Sequence, residues 1–318
     1  MKISRTTVLA LVPFVLTLSV VSPSHAQAGD PLLQAAASGD ADLVRLLVNS
    51  GQSVNATDSA GNSVLMFAAA NGQSEVVGFL IESGADVDAA NTESWTPLMV
   101  AALGGHVGTA QALINSGADV SARADIGMTP LIMAAASGHA AMVTSLLDNG
   151  ASSDDATPDG RTVLMTAAEG GHSECVTALL ESGADPNVEA PGRFTALAAA
   201  QRNGHTAVVW TLIDAGAVFI TSPGTMPELV SYPELEVPDS LDTAPIEGSI
   251  AIQFIVDVEG KVEPESIEII ESPHEGLNEP VRQMALGAVF KPGQFEGKPV
   301  RVRIRQSVSF GGQGRIEE

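Results

Sequence analysis

Three residue series recur along this chain with a spacing of 33. Leu32, Leu65, Leu98, Leu131, Leu164 and Leu197 form the first, and Gly39, Gly72, Gly105, Gly138, Gly171 and Gly204 the second. Gly51, Gly84, Gly117, Gly150, Gly183 and Gly216 form the third. One period shared by three registers dictates stacked supersecondary units, each unable to bury its apolar face alone. The unit decodes locally. Thr96-Pro97-Leu98 opens a helix with Thr as N-cap and Pro at the first helical position. Leu98, Ala101 and Ala102 then share one face, and small alanines let neighbouring units approach closely. Gly105 ends this helix, a second follows with Leu113 and Ile114, and Gly117 closes it where φ > 0 is expected. Six such units span residues 27–218.

Around the repeats the chain changes character. Lys2 and Arg5 precede an apolar run, Val8 to Val21, and Ser24-His25-Ala26 has small-x-small form. Residues 1–26 therefore read as a cleavable signal peptide. The run is shorter than the ~20 residues of a spanning helix, and Pro13 interrupts it. The rival reading is a retained anchor in the inner membrane. After the repeats, Pro223, Pro227, Pro233, Pro238 and Pro245 mark 219–245 as an extended linker. Residues 246–310 then read as ββαβ. Ile250, Ile252, Phe254, Val256 and Val258 alternate, and Glu265 to Glu271 forms a second strand. Val281, Met284, Ala285, Ala288 and Val289 lie on one helix face, and Val300 to Phe310 alternates again. Residues 311–318 read as a frayed tail.

The repeats resemble the ankyrin family. Its Thr-Pro-Leu-His-x-Ala opening appears as Thr96-Pro97-Leu98-Met99-Val100-Ala101 and as Thr129-Pro130-Leu131-Ile132-Met133-Ala134, with Met or Ile in place of His. Its Gly-Ala-Asp ending appears at Gly84-Ala85-Asp86, Gly117-Ala118-Asp119 and Gly183-Ala184-Asp185. The resemblance implies an α-solenoid that recognises proteins. Residues ~228–310 resemble the C-terminal domain of the TonB energy-transducer family. The resemblance rests on Tyr232-Pro233, Ile246-Glu247-Gly248, Phe254 to Val262, Val289-Phe290-Lys291-Pro292 and Glu296-Gly297-Lys298-Pro299-Val300. It implies a periplasmic domain that adds a peptide of an outer-membrane receptor to its sheet. With a retained anchor, the chain would instead be a TonB-like transducer for outer-membrane transport.

The ankyrin pattern assigns partner-facing positions to the concave side. Phe67, Trp95, Val100, Met128 and Met133, with Leu103 nearby, are expected to line one groove, continued by Arg161 and Phe194. Arg301, Arg303 and Arg305 form a basic row on the last strand. They read either as a solvated, aggregation-resistant face or as a docking surface for an acidic peptide.

Chemistry finds no foothold. His106, His139, His172 and His205 recur every 33 residues, but helices stacked about 8–10 Å apart cannot bring such positions to one ion. They are expected to hydrogen-bond between units. Cys175, the one cysteine, takes the place of Val76, Met142 and Val208, a core position. The neighbouring carboxylates Asp154 and Asp155 are expected to be solvated in a turn. No catalytic site, metal or cofactor is expected. Residues 27–218 hold 21 acids, five bases and no lysine, within a chain of net charge −23. That charge excludes nucleic acid as a partner, and membrane contact is expected only through an uncleaved N-terminus.

Overall fold

The computed structural model describes residues 30–220, 222–236, 248–311 and 315–317. The signal peptide assigned to 1–26, residues 221 and 237–245 of the assigned linker, and 246–247 of the domain after it lie outside the described residues. The chain divides into two compact units, one ending at Thr211 and the other starting at Leu212.

The first unit is built from consecutive helix pairs: α1 (Pro31–Ser38) with α2 (Ala41–Asn49), α3 (Val64–Ala70) with α4 (Ser74–Glu82), and α5 (Pro97–Leu103) with α6 (Val107–Asn115). These are followed by α7 (Pro130–Ala136) with α8 (Ala140–Asp148), α9 (Val163–Gly170) with α10 (Ser173–Glu181), and α11 (Ala196–Arg202) with α12 (Thr206–Asp214). The odd-numbered helices are only seven or eight residues long, too short to persist alone. Each starts on a side-chain cap: Asp30, Ser63, Thr96, Thr129, Thr162 or Thr195. Their stability comes from stacking. Successive odd-numbered helices of the array pack on one another, and α1, α3, α5, α7 and α9 also pack on their own even partners, so Val64 to Ala69 are buried without a break. Gly105 at φ 70° and Gly117 at φ 94° hold the left-handed turns expected of them.

The second unit contains a four-stranded antiparallel sheet. Its strands are β2 (Gly248–Val256), β3 (Glu268–Glu271), β7 (Val302–Gly311) and β8 (Arg315–Glu317), in the order β3-β2-β7-β8. Helix α13 (Asn278–Leu286) packs Val281 and Ala285 against Ile250, Ile252, Phe254 and Val256, the alternating residues of β2. Two smaller sheets flank it. β1 (Glu228–Ser231) pairs with β4 (Val289–Lys291), and β5 (Gly293–Phe295) pairs with β6 (Lys298–Val300).

This unit departs from the ββαβ reading in four places. The stretch read as a linker contains β1, and Thr225 exchanges backbone hydrogen bonds with Gln294 at 3.1 and 2.9 Å. The second strand begins at Glu268 rather than Glu265, because Pro264–Ser266 forms a 3₁₀ turn. The helix stops at Leu286, capped by Gly287, so Val289 belongs to a strand and is exposed. The tail read as frayed contributes β8, whose three residues pair with Ser309, Phe310 and Gly311.

Candidate functional site

The expected groove on the array is not an open apolar surface. Phe67 is 0% exposed, Trp95 2%, Val100 3% and Met133 0%. Phe67, Val100 and Met133 lie on helices α3, α5 and α7, which are covered on both sides by neighbouring units and behind by their outer partners. They fill the solenoid core instead of facing a partner. Leu103 and Met128 remain half-buried, as do Arg161 and Phe194.

Arg161 and Phe194 are brought together, but by each other. The Arg161 guanidinium lies 4.8 Å from the Phe194 ring centroid and that of Arg202 lies 5.2 Å from it. Glu169 accepts hydrogen bonds from both arginines, the one from Arg202 at 3.2 Å. Burial draws the pKa of Arg161 below its ordinary value; Asp159 opposes this and Arg202 adds to it. The sequence signalled Arg161 and Phe194 singly. The contributions of Glu169 and Arg202, from two neighbouring units, carried no such mark.

The four histidines lock successive units together. Each ring donates from Nε2 to a carbonyl of the preceding unit: His106 to Ala70 at 3.0 Å, His139 to Leu103 at 2.9 Å, His172 to Ala136 at 3.2 Å and His205 to Glu169 at 3.0 Å. The same rings cover the turn glycines, since a Cβ on Gly138 would sit 2.5 Å from His172 Nδ1. Among the described residues no group of three or more His, Cys, Asp or Glu is placed to hold a metal ion. Cys175 is buried, and burial, helped by the charge of Glu174, pushes its thiol up to about 11. Asp155 is not the solvated carboxylate expected. It accepts from Arg123 Nη2 at 2.9 Å and from Thr129 Oγ1 at 3.0 Å, tying neighbouring units together.

In the second unit the outer edge of β7 is held at both ends. Phe219 N–H donates to Arg301 O at 3.0 Å, and Arg303 N–H donates to Phe219 O at 2.7 Å. At the far end β8 pairs with Ser309 to Gly311. These bonds fix the parity of the strand: the backbone groups of odd-numbered residues face away from β2. Between the two brackets, Arg305 and Ser307 therefore turn N–H and C=O groups outward, and no described strand pairs with them. The basic row separates into three environments. Arg301 forks onto Glu263 at 2.6 and 2.7 Å and reaches Gly216 O at 2.9 Å. The Glu263 hydrogen bonds raise its pKa against the effect of burial. Arg303 is half-buried. Arg305 is exposed and meets Glu271 only at 3.8 Å.

A cavity of about 340 Å³ lies beside this edge on the α13 face, lined among others by Leu229, Tyr232, Phe254, Met284, Ala288 and Val308. Leu229 escaped notice in the sequence because five prolines disguised its strand, and Tyr232, which follows that strand, was marked only as part of the TonB likeness. The β-forming residues Val230 and Tyr232 beside Leu229 were the available signal.

Stacked two-helix units with short buried inner helices and left-handed glycine turns define a helical-repeat protein, here followed by a small open-edged sheet. The chain belongs to the ankyrin-repeat family, whose model matches in three copies over residues 32–124, 121–190 and 159–222. The model of the Gram-negative bacterial TonB protein C-terminal matches residues 233–311. Among solved structures, the human ASB11 ankyrin repeat domain is similar, with 29% identity and a TM-score of 0.57. That likeness covers 61% of this chain and 87% of the human domain. No curated protein sequence matches the chain. Ankyrin repeats and a TonB-like domain are non-catalytic modules with protein partners.

Proposed function

We propose that the chain is an exported, periplasmic scaffold that holds two protein partners. The array takes one, and the sheet of the second unit takes the other by strand addition. The observation that carries the reading is the outward-facing pair Arg305 and Ser307, a stretch of edge between Phe219 and β8 that no described strand pairs with. Unpaired backbone groups on a sheet edge recruit an extended chain. The TonB-type match supports a periplasm-facing segment of an outer-membrane receptor as that chain. On the array, the half-buried Leu103, Met128, Arg161 and Phe194 replace the buried aromatics as the contact row.

Backbone hydrogen exchange tests the edge. With a saturating alternating Thr/Val peptide, the amides of Arg305 and Ser307 slow; protection confined to β3 instead would sink the reading. N-terminal sequencing tests export. A mature start at Gln27 is expected, whereas an intact N-terminus favours the membrane-anchored transducer. Among the described residues no helix is long and apolar enough to cross a membrane.

A further inference from the structure

We propose that Asn203 is a site of spontaneous modification, at which water converts the side-chain amide to a carboxylate through a cyclic imide. The chain contains three Asn-Gly pairs, Asn71-Gly72, Asn149-Gly150 and Asn203-Gly204. Glycine puts no Cβ beside the nitrogen that must attack the asparagine side chain, so such a pair is the least hindered for this reaction. The three asparagines cap helices α3, α8 and α11, with ψ of 8°, 16° and 2°. The pairs are alike in backbone and differ in what holds them shut. The Asn71 amide donates to Phe67 O at 2.9 Å, and the His106 ring of the following unit covers Gly72. The Asn149 amide donates to Ser145 O at 2.7 Å and to Gln111 Oε1 at 3.4 Å. Both asparagines are half-buried. Asn203 and Gly204 are exposed, and a side chain on Gly204 would meet nothing within 4 Å. The Asn203 amide donates at 3.1 Å to Glu169 O, a carbonyl that also takes the His205 ring.

For the reaction the helix end must open: Gly204 N–H leaves Gln201 O, 3.1 Å away, and the Asn203 side chain leaves Glu169 O. Helix ends are where such local opening costs least. The Gly204 nitrogen then bonds to Asn203 Cγ, the Cγ–Nδ2 bond breaks, and the departing nitrogen takes the Gly204 proton and leaves as ammonia. Water reopens the imide at either carbonyl. One route gives aspartate, the other an isoaspartyl link in which the main chain runs through the former side chain. Amide and water become acid and ammonia, and nothing is oxidised or reduced. The product carries a negative charge and has no donor for Glu169 O. A carboxylate set against a carbonyl replaces a hydrogen bond between neighbouring units, so the joint between the last two helix pairs of the array loosens.

Peptide mapping by tandem mass spectrometry, on the purified chain incubated at mildly alkaline pH, decides the matter. Conversion at Asn203 is expected to run at least about fivefold faster than at Asn71 or Asn149, because opening an exposed helix end costs least. In concentrated urea the three rates converge, since the dipeptides are the same. Asn203→Gln removes the product at that position and leaves the other two unchanged. Asn203→Asp, which reproduces one product, lowers the melting temperature of the array by about 2–4 °C. Equal rates at the three positions of the folded chain, or faster conversion at Asn71 or Asn149, overturn the assignment. So does a folded chain that keeps Asn203 intact while the urea-unfolded chain loses it. An Asn203→Asp chain that melts with the parent overturns the loosening.

Discussion

Gly138 and Gly204 share a backbone conformation, with φ 75° and 74°, and differ in what they face. A side chain on Gly138 would strike the His172 ring, while one on Gly204 would meet nothing within 4 Å. Gly204→Ala therefore tests backbone strain alone, about 1 kcal/mol. Gly138→Ala adds displacement of the ring that bonds Ala136 O, for about 2–3 kcal/mol in total. Urea midpoints of the two variants measure the difference. Trp95→Ala is expected to destabilise the array by about 3–5 kcal/mol, through a cavity and not through lost binding. Cys175 supplies a chemical test. A thiol raised from 9.0 to about 11 holds about 100-fold less thiolate at pH 8, so native labelling by maleimide should be at least that much slower than in denaturant. Its folded pKa lies above the unfolded one, so its contribution to stability is whole below pH 9 and fades as pH rises toward 11. At this scale the sequence was readable for conformation: the glycines, caps and histidines all announced their roles by recurrence. Exposure was not readable. Whether Phe67 faces a partner or a neighbouring helix depends on how closely the units pack, and alanine-rich inner helices pack closely enough to bury it.

Helix ends and strand edges carry the next set of consequences. Thr129 caps α7 by accepting from Ile132 N–H and also donates to Asp155 of the following unit. Thr129→Ala should cost about 2 kcal/mol in thermal unfolding, more than a surface cap alone. Thr162→Ala, whose hydroxyl accepts from Met165 N–H at the N-cap of α9, is the comparison. In β7, Ser307→Pro removes a donor that faces outward, so the bonds to β2 remain and peptide addition is lost; circular dichroism and anisotropy separate the two effects. Elements longer than about seven residues were legible because their period repeats often enough to be recognised. Strands β1, β4, β5 and β6 have three or four residues each. Such lengths carry no period, and their pairing is set by distant partners such as Phe290 for Leu229.

For the molecule as a whole, charge is the governing quantity. Residues 27–218 carry a net charge of −16, and like charges on a compact body repel within a Debye length of about 10 Å at 0.1 M salt. Raising sodium chloride from low millimolar to about 0.5 M should therefore raise the melting temperature of the array, as calorimetry would register. The histidine ladder has a direction as well as a strength. Every ring reaches back toward the amino terminus, and Gly72, Gly105, Gly138 and Gly171 each receive a ring from the unit that follows. Each unit inside the ladder thus presents a socket on one side and a plug on the other. A tandem duplication in frame would recreate both contacts wherever it fell within the ladder, so the gene can alter the length of this protein without inventing a new joint.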